Sequence, residues 1–208
     1  MKVILGTAHG SNVGGKCSPD KSIREYQWSR EMCLMIKERL DELNIDCVID
    51  ILEPIEKSLG TRTRLVNAIC REANDDCIYI SVHLNAAGGD GKWHNASGWT
   101  VWIYNKASQK SKNLALELLN VAEEKDLFGN RYIPETKYFT ANFAVLRDTI
   151  CPAILTENLF QDNKKEVEYL LSDEGKREIC DLHVQGILRY LDKYYRSEEH
   201  TSELQSQR

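Results

Sequence analysis

The chain has 208 residues, of which 42% are hydrophobic and 28% are charged, and its formal net charge at pH 7 is -5. This length and balance are typical of one globular domain and exclude a chain that is disordered throughout. The negative charge argues against a duplex-nucleic-acid partner, which normally meets a basic face. No apolar run reaches the roughly 18–20 residues that span a bilayer, so we expect no membrane insertion.

Strand and helix patterns alternate along the chain. The predicted strands cover residues 2–8, 46–52, 77–82, 99–104 and 152–156. The predicted helices cover residues 22–43, 61–73, 107–125, 164–171 and 174–194. This order predicts a single α/β domain over residues 1–196, with a largely parallel twisted sheet flanked by helices on both faces. Residues 197–208 are polar and lack apolar periodicity, which is typical of a tail outside the fold.

The cysteines and the start of the chain bear on the cellular compartment. Seven cysteines are scattered without a CxxC pair, which indicates free thiols in a reducing compartment and excludes a cysteine-based zinc site. Residues 1–6 enter a strand pattern too early for a secretory signal, so we expect synthesis in the cytoplasm.

Two histidines follow predicted strands. His9 comes just after the strand over residues 2–8, and His83 just after the strand over residues 77–82. The carboxyl ends of parallel strands form the edge at which open α/β folds bind ligands. Each histidine alone could be a structural residue, but two of them with nearby carboxylates provide the residue types from which a zinc site is built.

Carboxylates that could complete such a site occur at two places. Glu25 lies in the first turn of the helix over residues 22–43 and is the predicted third ligand, with Glu31, nearly two turns deeper, as the alternative. Alternatively, the Glu25 carboxylate could only stabilise the helix by its interaction with the positive end of the helix dipole. Glu157 ends the strand over residues 152–156, and in a parallel sheet it would reach the same edge as a general base.

The remaining histidines are predicted to have other roles. His94 lies in a turn-rich loop and is interpreted as a solvated or substrate-contacting group. His183 falls within the apolar pattern of the last helix, which indicates a structural role. His200 lies in the polar tail and is left out of the predicted site.

Seven segments occur in a characteristic order along the chain. They are His9-Gly10-Ser11, Glu25, Arg64 with Ala73-Asn74, Ser81-Val82-His83-Leu84-Asn85, Ser97-Gly98-Trp99-Thr100-Val101, Leu146-Arg147 and Pro152-Ala153-Ile154-Leu155-Thr156-Glu157-Asn158. Their order and spacing, over roughly residues 2–192, resemble the zinc-dependent N-acetylmuramoyl-L-alanine amidases of the amidase-3 family, found in bacteria and phage lysins. The chain departs from the family pattern at Gly6-Thr7-Ala8 and at Asn158-Leu159-Phe160.

The resemblance implies the chemistry of the site. It implies that His9, Glu25 and His83 hold Zn²⁺ and that Glu157 is the catalytic carboxylate. We also predict that Asn85 and Arg147 bind the substrate. The implied substrate is peptidoglycan, cleaved at the amide between the lactyl group of N-acetylmuramic acid and L-alanine.

Two other functions are compatible with the same residues. One is an inactive module that binds peptidoglycan, and the other is a zinc peptidase that cuts within the stem peptide. The chain could be a phage lysin made in the cytoplasm and released to the wall by a separate holin, or a fragment of a secreted protein. The oligomeric state is left open.

Overall fold

A six-stranded sheet forms the centre of the computed structural model, which describes residues 1–74 and 76–196. The predicted tail over residues 197–208 therefore lies outside the described residues. The strands are β1 (Lys2–Thr7), β2 (Cys47–Ile49), β3 (Cys77–Asn85), β4 (Thr100–Tyr104), β5 (Phe139–Ala141) and β6 (Ala153–Phe160). The helices are α1 (Glu25–Glu42), α2 (Leu59–Glu72), α3 (Gln109–Glu124), α4 (Ala144–Arg147), α5 (Lys164–Leu171) and α6 (Asp173–Tyr190), followed by a π-helical segment, Leu191–Arg196.

Helices cover both faces of the sheet, as predicted. In β3, Ile78, Ile80 and Val82 pack on the side of α1, α3, α5 and α6. Tyr79, between them, packs on the opposite side with residues of α2 and α4. Successive strand residues point to opposite faces of the sheet, and both faces are buried. The sequence of the strand is therefore a continuous apolar run.

The strand order is β2-β1-β3-β6-β4-β5. The first four strands in this order are parallel, which confirms the prediction of a largely parallel sheet. β4 runs antiparallel to β6, and β5 pairs parallel to β4. No described helix separates β3 from β4, and a strand that returns without a crossover helix can run antiparallel. None of the described helices combines the length and hydrophobicity needed to cross a membrane.

The predicted element boundaries need correction around the site. β3 extends to Asn85 and β6 to Phe160, so His83 and Glu157 lie inside strands rather than after them. The two residues are direct cross-strand neighbours. The first helix begins at Glu25 rather than residue 22, because a bridge between Cys17 and Arg24 holds the preceding chain in an extended conformation. β5 and α4 were not predicted, since three- and four-residue elements are too short for a periodic pattern.

None of the seven cysteines forms a disulfide bond within the described residues, as predicted, and all but Cys17 are buried. The structural role predicted for His183 is also confirmed. Its side chain is fully buried between α6 and β6. Its Nδ1 lies 2.8 Å from the Ile179 carbonyl oxygen, to which it donates, and its Nε2 accepts from the Thr156 hydroxyl at 3.0 Å. Both ring nitrogens are therefore satisfied by a neutral imidazole.

Acid should destabilise the protein through His183. Burial lowers the pKa of His183 from 6.5 to about 4. Above pH 6.5 the ring is neutral in the folded and unfolded states, so its stabilising contribution is complete. As the pH falls from 6.5 towards 4, only the unfolded chain binds the proton, and about 3 kcal/mol of stability is lost. Urea unfolding at several pH values in this window measures the loss.

The His183→Gln variant isolates this contribution from the other titrating groups. We expect its free energy of unfolding to vary less with pH than that of the wild type, whatever its stability at pH 7. The His94→Gln variant is the control, because His94 lies in a loop with its ring against Asp90 on the surface. Equal pH slopes for the wild type and His183→Gln would contradict the assignment.

Candidate metal centre

Three side chains from separate elements converge at the carboxyl edge of the sheet. His9 lies two residues beyond β1, Glu25 is the first residue of α1, and His83 lies in β3. One ligand atom from each lies within 4.8 Å of the others. His83 Nδ1 is 3.0 Å from Glu25 Oε1, and His9 Nε2 is 3.5 Å from Glu25 Oε2. The structure thus brings the three predicted ligands together.

Glu31, the alternative third ligand, lies elsewhere. Its exposed carboxylate pairs with Lys176 Nζ at 2.6 Å. The helix periodicity explains the difference, because six residues after Glu25 the chain has turned well away from the edge of the sheet.

The turn that carries His9 is anchored to α1. The Ala8 amide donates to Ser29 Oγ at 2.8 Å, and Arg30 Nη1 donates to the Ala8 carbonyl oxygen at 3.0 Å. His9 itself has a φ of 40°, in the left-handed region that residues with a side chain rarely adopt. Such a conformation persists where surrounding contacts hold it and is often found at functional sites.

Glu25 is held in one orientation by both its backbone and its side chain. Its amide donates to the Lys16 carbonyl oxygen at 3.0 Å, and its Oε1 accepts from the Leu84 amide at 3.2 Å. The side chain is only 1% exposed. Burial raises the pKa of Glu25, but the hydrogen bond and charge of His83, with a smaller effect of His9, outweigh it and hold the pKa below its usual value. Glu25 is therefore an ionised, buried carboxylate.

The unsatisfied atoms of the cluster fit a divalent metal. Glu25 Oε2 is buried without a hydrogen-bond partner among the described residues, which is costly for a carboxylate unless a cation binds it. Burial lowers the pKa of His9 to about 4, so its ring is neutral at pH 7 and offers a lone pair. The Ser81 hydroxyl lies 2.9 Å from His83 Nε2 and can hold the ring with Nδ1 towards the metal. Two imidazoles and one carboxylate are a zinc ligand set.

Glu157 lies next to this cluster. It is the cross-strand neighbour of His83, and its Oε2 is buried without a partner in the described part of the chain. Burial raises the pKa of Glu157 well above its usual range, and the negative charge of Glu25 adds to the rise. A carboxyl group with a raised pKa beside a metal site is suited to accepting and returning a proton.

A cavity of about 240 Å³ opens beside these groups, on the face of the sheet covered by α2 and α4. Its lining includes His9, His83 and Glu157. The other lining residues are Thr7, Lys16, Glu56, Leu59, Arg62, Ser81, Phe143, Ala144, Val145 and Leu155. The cavity therefore joins two of the candidate metal ligands and Glu157 to residues of α2 and α4.

The two predicted substrate-binding residues do not line this cavity. Asn85 ends β3, where its Oδ1 accepts from the Ala86 amide while its Nδ2 is buried without a partner in the described chain. Arg147 ends α4, where its guanidinium pairs with Asp148 and lines a separate surface pocket. Their predicted contacts with substrate stay predictions.

A buried ion pair is formed by Arg62, which also lines the cavity. The Arg62 guanidinium of α2 pairs with the Asp50 carboxylate, and both side chains are almost inaccessible to solvent. Asp50 also accepts from the Thr7 amide at 3.0 Å, the Ile51 amide at 2.6 Å and the Tyr79 hydroxyl at 3.2 Å. The sequence indicates structural ion-pair roles for Arg62 and Arg64 but does not identify their partners. The structure confirms this role for Arg62, whereas the hydrogen bond that it shows for Arg64 is to the Thr61 hydroxyl.

The class of protein follows from this arrangement on an α/β sheet. Three converging ligand atoms beside an unpaired carboxylate with a raised pKa are typical of metal-dependent hydrolases. The chain belongs to the amidase-3 family of N-acetylmuramoyl-L-alanine amidases, whose sequence model matches residues 3–189. The family predicted from the motifs and the predicted enzyme class are thereby confirmed.

Known relatives extend over most of the chain. The N-acetylmuramoyl-L-alanine amidase CwlM of Bacillus licheniformis is 27% identical over 195 residues, which are 91% of this chain and 68% of CwlM. The endolysin of Bacillus phage SPP1 is 35% identical over 117 residues, or 55% of this chain and 40% of the endolysin. The crystal structure of an N-acetylmuramoyl-L-alanine amidase from Clostridium difficile 630 superposes with a TM-score of 0.78 at 26% identity, covering 93% of this chain and 97% of that one. This superposition confirms the predicted fold class.

Proposed function

We propose that this protein is a zinc-dependent peptidoglycan hydrolase that cleaves the amide between the lactyl group of N-acetylmuramic acid and L-alanine. The observation that carries the proposal is the convergence of His9, Glu25 and His83 at a cavity that Glu157 lines together with the two histidines. Membership of the amidase-3 family supports the choice of this amide as the bond that is cleaved.

The residues that would hold zinc are the three of the cluster. When bound, zinc would lower the pKa of a coordinated water and polarise the carbonyl to be attacked. The chain itself keeps the ligands in place. Ser81 orients the His83 ring, and the Lys16 carbonyl and Leu84 amide orient Glu25, so the ligand atoms need little rearrangement on binding.

Glu157 would move the proton. Its unpartnered Oε2 accepts a proton from the attacking water as the new carbon–oxygen bond forms at the lactyl carbonyl. The same atom then returns the proton to the nitrogen of L-alanine as the carbon–nitrogen bond breaks. The products are a lactyl carboxylate on the glycan and a peptide with a free amino terminus.

Mass spectrometry of digested sacculi tests the reaction and its metal requirement together. We expect protein stripped of metal by a chelator to release no peptide. After zinc is restored, it should release stem peptides that begin with L-alanine and leave the glycan intact. Isothermal titration should show one zinc ion bound per chain, lost in His83→Ala and retained in the control His94→Ala.

The other candidate functions give different results in this experiment. Shorter peptides without the N-terminal L-alanine would show a peptidase, with the metal site unchanged. Binding of the zinc-loaded protein to sacculi without any released peptide would show an inactive binding module. Full activity without metal would contradict the zinc part of the proposal.

A further inference from the structure

A lysine on the loop before α1 brings a positive charge to the metal-site cavity. Lys16 lines the cavity together with His9, His83 and Glu157. The proposed reaction assigns no role to its ammonium group. A charge placed within a substrate cavity contributes to the choice of substrate.

The backbone holds Lys16 close to the cluster. Its carbonyl oxygen accepts the Glu25 amide at 3.0 Å, and the next residue, Cys17, forms a β-bridge with Arg24. The first part of the loop is packed against the chain at Glu56. The backbone at Gly10 comes so close that a Cβ added there would lie 2.0 Å from the Glu56 amide nitrogen. The loop that carries Lys16 is therefore tied to the helix that supplies a ligand.

The Lys16 ammonium has no carboxylate partner in the part of the chain that the structure describes. Glu25, Glu56 and Glu157 all lie near the cavity, yet within residues 1–74 and 76–196 no carboxylate forms an ion pair or a hydrogen bond with Lys16 Nζ. The positive charge of Lys16 nonetheless acts on both glutamates. It adds to the lowering of the pKa of Glu25 and partly opposes the rise in the pKa of Glu157. A half-buried, unpaired ammonium is a recognition group for an anion, because a charge-assisted hydrogen bond is strong where water is partly excluded.

We propose that Lys16 binds a free carboxylate of the substrate close to the scissile amide, so that the enzyme prefers muramyl peptides carrying that carboxylate. This inference rests on the proposed amidase function and adds a specificity to it. The occupant is a carboxylate on the residue that follows L-alanine, since that residue lies within a few ångströms of the bond that is cut. An amide at the same position has nearly the same shape but lacks the charge.

A matched pair of substrates tests the proposal. Two synthetic N-acetylmuramoyl-L-alanyl peptides are compared, one with a free carboxylate on the second amino acid and one with the isosteric carboxamide. We expect the wild type to favour the acid by about tenfold in kcat/KM, which is typical of one hydrogen bond to a charged group. In Lys16→Met the ratio of kcat/KM for the acid to that for the carboxamide should fall close to one, because the KM for the acid rises. The Lys16→Arg variant should keep most of the preference for the acid.

The control variant is Lys21→Met, which removes a lysine of the same loop that does not line this cavity and should keep the wild-type ratio. Equal rates on both substrates, or an equal loss on both in Lys16→Met, would overturn the proposal. Titration calorimetry with the Glu157→Gln variant measures the affinities of the two peptides without turnover. It therefore tests the binding role of Lys16 separately from catalysis. If neither peptide is cleaved by the wild type, the amidase proposal fails, and a tenfold difference in these affinities still supports the Lys16 site.

Discussion

The Glu157→Gln variant should retain its fold and its metal but lose at least about a thousandfold in turnover, within the range found when a general base is removed. Glutamine has nearly the same size and fits the same position in β6, where Glu157 faces His83. It cannot accept the proton of the attacking water. Rates of peptide release from sacculi by the zinc-loaded protein measure the loss.

The matched control for this variant is Glu168→Gln, which removes an exposed carboxylate on α5. We expect wild-type turnover from it. Zinc content, measured on both variants, separates a lost proton acceptor from a lost metal. A Glu157→Gln protein with near wild-type turnover would show that another group carries the proton.

The second large effect is on stability. Replacing Arg62 by methionine leaves the Asp50 carboxylate buried without its counter-charge, because both side chains are almost inaccessible to solvent. Removing one partner of a buried ion pair costs about 3–5 kcal/mol. The backbone amides of Thr7 and Ile51 and the Tyr79 hydroxyl still donate to Asp50, but they carry no full charge. Urea unfolding at pH 7 measures the difference.

Arg64→Met on the same helix provides the comparison, since Arg64 is exposed and contacts only the Thr61 hydroxyl in the described chain. Its expected effect lies within about 0.5 kcal/mol of zero. In the double variant Asp50→Asn, Arg62→Met, the total cost should be less than the sum of the two single costs, because no charge is left unpaired. If Arg62→Met is as mild as Arg64→Met, the ion pair does not contribute as argued.

Much of the fold could be predicted because it depends on local patterns. The apolar runs of β1 and β3 indicate strands buried on both faces, and the helical spacing of apolar residues in α1 and α3 indicates helices packed on them. The alternation of these elements leads to a largely parallel sheet. That sheet brings His9 and His83 to one edge, and the helix that follows His9 in the chain begins with Glu25 at the same edge. This is why the three residues could be placed together before their distances were known.

Other features arise only when distant segments meet. The reversed direction of β4 depends on a loop with no periodic pattern, and the extension of β3 and β6 past His83 and Glu157 depends on their pairing with each other. The Asp50–Arg62 pair joins the end of β2 to α2, and the position of Lys16 depends on its backbone bond to Glu25. Periodicity records which face of an element is buried, whereas the partner of a charge is set by the three-dimensional packing. The sequence therefore determines the sheet, its helical layers and the candidate metal ligands, and the tertiary structure decides which charges are paired inside the protein.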